Sequence, residues 1–191
     1  NKTNYSVMPD RIEAGTFCIA ATISKGNLEI VNFDPKIIKT ELNLLKKFGA
    51  KIQIIEKKIF IEGPKNIKPI KNVKTKEYPG LPTDMQSQLM VLMCKANGQS
   101  SITENIFENR FMHVAELRRL GAKIDIVKNK AIIHGNTKFI GAELMSSDLR
   151  ASVSLVLGAM VSKGESIINR IYHLDRGYEN IENKLKKIGV R

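Results

Sequence analysis

Three apolar stretches recur along the chain, and each is hydrophobic on nearly every side of a helix. They lie at residues 17–21, 89–93 and 153–157. Helices that are apolar all round pack in the interior of a protein, so we expect three buried helices. A polar segment with a glycine follows each stretch, and we expect the helices to end at Gly26, Gly98 and Gly164 because glycine is a common residue after a helix.

A strand and a second helix follow each of these glycines. The strands are expected at residues 28–31, 100–103 and 166–168. The second helix is basic and amphipathic, and ends at a second glycine, Gly49, Gly121 or Gly189. In the first copy Asp34 and Pro35 favour a helix start. The buried stripe of that helix is expected to comprise Ile37, Ile38, Leu42, Leu45 and Phe48.

Short runs rich in β-branched residues close the first two copies. Residues 52–55 and 59–61 predict one hairpin, and residues 124–127 and 131–133 predict another, because Lys- and Asn-containing turns separate them. The third copy has no such pair before Arg191. The pattern therefore predicts an α/β fold in one domain, 1–191, built from three units at about 1–67, 68–136 and 137–191. The third unit is incomplete.

The net charge of +12 adds only one alternative to the possible functions. An excess of positive charge favours binding to an anionic partner, so a basic nucleic-acid-binding module is that alternative. However, the lysines are dispersed and the chain has no tryptophan for base stacking, so we expect no nucleic-acid partner. No apolar run is long enough to span a membrane, and we expect no membrane partner. Cys18 and Cys94 lie in apolar helical patterns, which favours a cytoplasmic location without disulfides.

The clearest chemical candidate is Asp84, in the stretch 78–86. Two prolines and a glycine fix a stiff turn there, and Thr83 and Asp84 are residue types that cap helices. From spacing alone, capping is the favoured role of Asp84. The three histidines show no metal-ligand spacing, and no glycine-rich phosphate loop is present, so we expect neither a metal nor a cofactor.

Five motifs in order resemble signatures of the UDP-N-acetylglucosamine enolpyruvyl transferases. They are DRIEAGTF (10–17), YPGLPTDMQ (78–86), TENIFENRFMHV (103–114), SDLRAS (147–152) and DRGYE (175–179). The resemblance implies an inside-out α/β barrel of three units, with central helices and outer sheets. It also implies that the chain is one of two domains, the one formed from the C-terminal half, with the active site in the cleft between them.

The resemblance implies an activity as well. The family transfers enolpyruvyl from phosphoenolpyruvate to the 3-hydroxyl of UDP-N-acetylglucosamine, the first committed step of peptidoglycan synthesis. Its proton donor, a cysteine or an aspartate, lies on a loop of the other domain. Cys18 and Cys94 do not match that loop, and we expect them to be small hydrophobic residues. The chain alone is therefore expected to be inactive, with the missing domain as its partner.

Seven positions match the family's substrate-binding residues: Asp84, Ile106, Phe107, Arg110, Asp148, Arg150 and Arg176. Asp84 matches the catalytic base that contacts the sugar hydroxyl, and Arg176 an arginine that reaches phosphoenolpyruvate. Ile106 matches a backbone contact to the UDP sugar. Without the resemblance, we would interpret Arg176 as a member of a surface ion pair and Asp148 as a helix cap.

The nearest alternative is an enzyme that makes 5-enolpyruvylshikimate-3-phosphate, since it shares the fold and the chemistry. The motifs at 10–17 and 82–86 favour the UDP-sugar enzyme over it.

Overall fold

The computed structural model describes residues 2–190. In chain order, its helices are α1 (Arg11–Ser24), α2 (Lys39–Phe48), α3 (Gln86–Cys94), α4 (His113–Arg119), α5 (Leu149–Met160), α6 (Tyr172–Asp175) and α7 (Ile181–Lys187). Its strands are β1 (Asn27–Ile30), β2 (Lys51–Ile55), β3 (Lys58–Glu62), β4 (Val73–Lys74), β5 (Ser100–Thr103), β6 (Ile124–Val127), β7 (Lys130–Ile133), β8 (Glu143–Met145) and β9 (Ile167–Asn169). Two 3-10 turns, Pro35–Ile38 and Thr83–Met85, precede α2 and α3.

The three apolar helices, α1, α3 and α5, pack against one another in the core. Every residue of α3 is buried, and Met90, Leu92 and Met93 have no exposed surface. Fully burying such a side chain contributes about 1.5–3 kcal/mol, so these helices hold the domain together. The prediction of three buried helices is confirmed.

Three small sheets accompany these helices, and they contact α1, α3 and α4 respectively. The first has the order β1-β3-β2, the second β4-β5-β7-β6, and the third β8-β9. Both predicted hairpins are confirmed as the antiparallel pairs β2–β3 and β6–β7. The β8–β9 pair is parallel and short, and it leaves Met145 and Ile167 about half exposed.

The observed helix ends differ in part from the prediction that each helix ends at a glycine. Gly49 and Gly121 end the second helices in the left-handed region, with φ of 110° and 96°. The prediction that α1 ends at Gly26 is wrong, because Lys25 takes the left-handed conformation (φ 59°) and donates its N–H to the Ala21 carbonyl. Likewise α3 and α5 end several residues before Gly98 and Gly164.

In residues 2–190, every helix is too short or too polar to cross a membrane.

Candidate active site

A rigid turn presents Asp84. After β4, Lys76 donates its N–H to the Leu81 carbonyl (2.8 Å), which closes a loop over residues 76–81. A side chain at Gly80 would place its Cβ 2.4 Å from the Lys76 Cβ, so only glycine fits this approach. The 3-10 turn Thr83–Met85 then leads directly into α3.

The Asp84 carboxylate is held between two arginines. Its Oδ1 accepts hydrogen bonds from Arg110 Nη2 at 3.3 Å and from Arg150 Nε. The interpretation of Asp84 as a helix cap is wrong, since α3 begins after Met85 and receives no side-chain cap. The 3-10 turn moves the helix start beyond the aspartate and leaves its side chain free to face the guanidinium groups.

Asp148 and Arg150 reach this cluster from the start of α5. Asp148 Oδ1 accepts hydrogen bonds from the backbone N–H groups of Arg150 and Ala151, both at 2.8 Å. Asp148 therefore caps α5, as the sequence pattern without the resemblance predicted, and it orients the turn that carries Arg150. The hydrogen bond to Asp84 raises the pKa of Arg150, so this guanidinium is a permanent cation beside the carboxylate.

Arg110 connects Asp84 to a neighbouring cavity of about 810 Å³. The guanidinium lies 4.9 Å from the centre of the Phe107 ring, and its Nε is buried without a hydrogen-bond partner among residues 2–190. The cavity is lined by Glu104, Asn105, Ile106, Phe107, Glu108, Asn109, Arg110, Phe111, Met112, Ile126, Lys128 and Asn129. We call residues 104–112 the cavity loop.

Sequence reasoning missed Glu104. It lies at the start of the cavity loop with only 3% of its surface exposed, and four groups donate to its carboxylate. They are Thr75 Oγ1, Thr83 Oγ1 and the backbone N–H groups of Ile106 and Phe107, at 2.9, 2.9, 2.8 and 3.2 Å. The signal that could have found it is an acidic residue directly after a predicted strand of the core, where a carboxylate is costly to bury without partners.

Arg176 is not hydrogen-bonded to Asp84, Arg110 or Arg150. It follows α6, is exposed, and forms no ion pair among residues 2–190. The surface ion pair that sequence pattern alone predicted for Arg176 is therefore wrong. Its guanidinium is available to an anionic ligand, which arginine binds through two parallel hydrogen bonds.

A buried polar network anchors the segment that follows Arg176. Tyr178 Oη is 3.0 Å from Thr16 Oγ1 in α1 and 3.4 Å from Gln88 Nε2 in α3. Ser87 Oγ donates to Gln88 Oε1 and to the backbone carbonyl of Arg150. Burial raises the pKa of Tyr178 to about 12, so the phenol stays neutral and hydrogen-bonded. The network joins the three core helices to the Arg176 segment.

The cysteines and His113 have core environments. Burial raises the pKa of Cys18 and of Cys94 to about 12, so both remain protonated thiols, as expected of small hydrophobic residues. Burial also lowers the pKa of His113 to about 4, against the opposing effect of Asp148. His113 is thus neutral at neutral pH. Among residues 2–190, no three potential metal ligands cluster together.

Comparison with known proteins places this fold among the enolpyruvyl transferases. The enolpyruvyl transferase NikO from Streptomyces tendae superimposes with a TM-score of 0.88 at 25% identity, over 98% of this chain and 44% of its own. EPSP synthase from Acinetobacter baumannii superimposes with a TM-score of 0.77 at 20% identity, over 96% of this chain and 46% of its own, which shows a shared fold.

The family model for EPSP synthase (3-phosphoshikimate 1-carboxyvinyltransferase) matches residues 1–185. The chain therefore belongs to the EPSP synthase family. A UDP-N-acetylglucosamine 1-carboxyvinyltransferase from Pelagibacter ubique is 65% identical over 98% of the chain, and one from Desulfosudis oleivorans is 52% identical over all of it. The chain spans 45% of the length of each of these relatives.

Proposed function

We propose that the chain forms one wall of the active site of a UDP-N-acetylglucosamine 1-carboxyvinyltransferase. Such an enzyme transfers enolpyruvyl from phosphoenolpyruvate to the 3-hydroxyl of UDP-N-acetylglucosamine in peptidoglycan synthesis. The observation that carries the proposal is the Asp84 carboxylate between two guanidinium groups, beside a cavity large enough for a ligand. The 65% identical relative bearing this enzyme's name supports it.

The proposal extends to the architecture. Three units, at about 1–67, 68–136 and 137–191, would form an inside-out barrel as a single domain of a two-domain cytoplasmic enzyme. The helix packing and the three outer sheets support this arrangement. A second domain of the same enzyme would supply the opposite wall of the cleft and the proton donor. That the chain spans under half of its relatives' length agrees with this.

Asp84 is the proposed base for the sugar hydroxyl. Both arginines donate to Oδ1, and Oδ2 has no hydrogen-bond partner among residues 2–190. A hydroxyl can therefore donate to Oδ2 without displacing either arginine. As the 3-oxygen bonds to C2 of phosphoenolpyruvate, the hydroxyl proton passes to Asp84, and C3 receives its proton from the second domain. Loss of phosphate and of the C3 proton then leaves the enol ether.

The cavity loop is the proposed site for the UDP sugar. The N–H of Ile106 already donates to Glu104, so its carbonyl is the backbone group left to contact a ligand, and it must accept. Phe107 is 57% exposed and presents a ring to the cavity. Arg110, Arg150 and Arg176 are the proposed partners of the phosphate and carboxylate groups, with Asp148 holding Arg150 in place.

An enzyme acting on shikimate-3-phosphate is the second candidate, since the family model carries that name. The structural neighbour of that type is only 20% identical, whereas the UDP-sugar relatives are 52–65% identical. The UDP-sugar activity is therefore the better supported one. Measuring the binding of UDP-N-acetylglucosamine against shikimate-3-phosphate separates the two candidates.

The decisive experiment is to place residues 1–191 in the matching segment of the Pelagibacter ubique relative. We expect this chimera to release phosphate from phosphoenolpyruvate and UDP-N-acetylglucosamine. We expect the isolated chain, checked by mass, to release none, because the proton donor and the opposite wall are missing. An inactive but folded chimera would contradict the proposed function, and phosphate release by the isolated chain would contradict the two-wall arrangement.

A further inference from the structure

Glu104 lies between two parts of the site that are distant in sequence. One is the turn that carries Asp84, and the other is the cavity loop. The two oxygens of its carboxylate divide these contacts. Oε1 accepts from Thr75 and from the N–H groups of Ile106 and Phe107, while Oε2 accepts from Thr83, the residue before Asp84.

We propose that Glu104 is a positioning residue that sets the distance between the Asp84 carboxylate and the cavity loop through Thr83. This inference rests on the proposed function, because it assigns Asp84 as the base and the loop as the sugar site. Glu104 does not itself contact the reacting atoms. It acts through the two segments that it joins.

Because Glu104 is buried, it connects the turn that carries Asp84 rigidly to the cavity loop. A buried carboxylate is stable only if donors surround it, and four donors do so here. Hydrogen bonds to a charged group are roughly twice as strong as neutral ones. Moving the Asp84 turn away from the loop would break the Thr83 bond and leave Oε2 of a carboxylate that is only 3% exposed without its donor. The segments therefore move together.

The neighbouring strands hold Glu104 in place. Thr75 donates to Glu104 and also accepts from the backbone N–H of Asn105 at 2.9 Å. Asn129 Nδ2, in the β6–β7 turn, donates to the Glu104 carbonyl at 3.0 Å. Glu104 thus has fixed contacts on both its side chain and its backbone, which a positioning residue requires.

Thr83→Val tests the proposal more cleanly than a change at Glu104, because removing a buried carboxylate from four donors can prevent folding. Valine has the shape of threonine but lacks the hydroxyl, so it cuts only the contact on the Asp84 side. In the chimera we expect turnover to fall about 10- to 100-fold, since misplacement by about 1 Å can cost that much. The Michaelis constant for UDP-N-acetylglucosamine should change by less than about threefold, because the loop keeps its bonds to Oε1.

Two variants serve as controls. Thr83→Ser retains a hydroxyl and should restore most of the turnover. Thr22→Val removes the same atoms from a buried threonine in α1, whose hydroxyl donates to the Cys18 carbonyl at 2.8 Å. We expect Thr22→Val to keep turnover within about twofold, so a loss that depends only on stability would appear in both valine variants.

A double-mutant cycle with Asp84→Asn identifies the path of the effect. If Thr83 acts through Asp84, adding Thr83→Val to Asp84→Asn should lower turnover no further. An equal loss in both backgrounds, or wild-type turnover in Thr83→Val, would overturn the proposal. If Asp84→Asn alone keeps wild-type turnover, the proposed function loses its base, and a loss in Thr83→Val would then show that Glu104 acts on another group.

A readout independent of activity uses the Arg150 Nε–H, which donates to Asp84. Its NMR resonance in the chimera should shift in Thr83→Val, because the carboxylate that accepts it has moved, and should stay unchanged in Thr22→Val. An unshifted resonance in both variants would mean that Glu104 does not position Asp84, whether or not the chimera is active.

Discussion

Asp84→Asn separates the chemical role of this residue from its structural role. Asparagine keeps the shape and one oxygen but cannot take a proton at neutral pH. If Asp84 accepts the hydroxyl proton, turnover of the complete enzyme should fall about 10²- to 10⁴-fold, the usual contribution of a general base. UDP-N-acetylglucosamine should still bind, because the amide oxygen can keep the two arginine contacts while the amide NH2 donates to the sugar hydroxyl.

The structure also indicates how much Asp84→Asn should lower the free energy of unfolding. Asp84 accepts from Arg110 and Arg150, and a hydrogen bond to a charged group is worth about 1.5–3 kcal/mol. The three side chains are 21–39% exposed, so water screens the pair and replaces part of what is lost. We therefore expect a total loss of about 1–3 kcal/mol in the free energy of unfolding, which lowers the Tm of a domain of this size by about 2–12 °C.

The assay is phosphate release at saturating substrates, with a melting curve for each variant. Asp125→Asn is the matched control, because Asp125 pairs with His134 on the exposed β6–β7 hairpin and lies outside the site. It should keep wild-type turnover. A complete Asp84→Asn enzyme with wild-type turnover would refute the catalytic role, and an unchanged Tm would refute the contribution of the two arginine contacts.

Two further predictions concern Arg176 and His113. Arg176→Ala should raise the Michaelis constant for phosphoenolpyruvate about 10- to 100-fold, the equivalent of one lost charge-assisted bond, while binding of UDP-N-acetylglucosamine stays the same; equal losses for both substrates would contradict this assignment. The pKa of His113 is about 4 in the folded state against 6.5 normally, so below pH 6.5 the unfolded state binds a proton that the folded state does not. Stability should fall by up to about 3 kcal/mol between pH 6.5 and 4, and chemical denaturation across that range should show this loss reduced in His113→Gln but not in His134→Gln.

The sequence was sufficient for the secondary structure wherever one pattern dominated. Both hairpins follow from β-branched runs around short polar turns, and α3 follows from an unbroken apolar stretch. The sequence pattern did not predict the helix ends correctly, because a single residue changes the backbone conformation there. Lys25 takes the left-handed position that glycine usually occupies, and the 3-10 turn at Asp84 shifts the start of α3 beyond the expected cap.

The sequence predicted only part of the candidate site, for a different reason. The resemblance selected Asp84, Arg110 and Arg150, and the structure brings these three together. Glu104 lay within the same motif as Arg110 but had no recognisable spacing, since its four donors come from three separate segments. A role that depends on long-range hydrogen bonds leaves no periodic signal in the sequence.

The two buried thiols have a practical consequence. Alkylating reagents attack thiolates, and neither Cys18 nor Cys94 is exposed or ionised at neutral pH. The native chain should therefore stay unlabelled by a maleimide dye while it is folded. A cysteine introduced by Lys128→Cys, at the exposed rim of the cavity, would carry the only label on this domain without removal of the native residues. The fluorescence of such a probe would report directly on changes at the cavity loop.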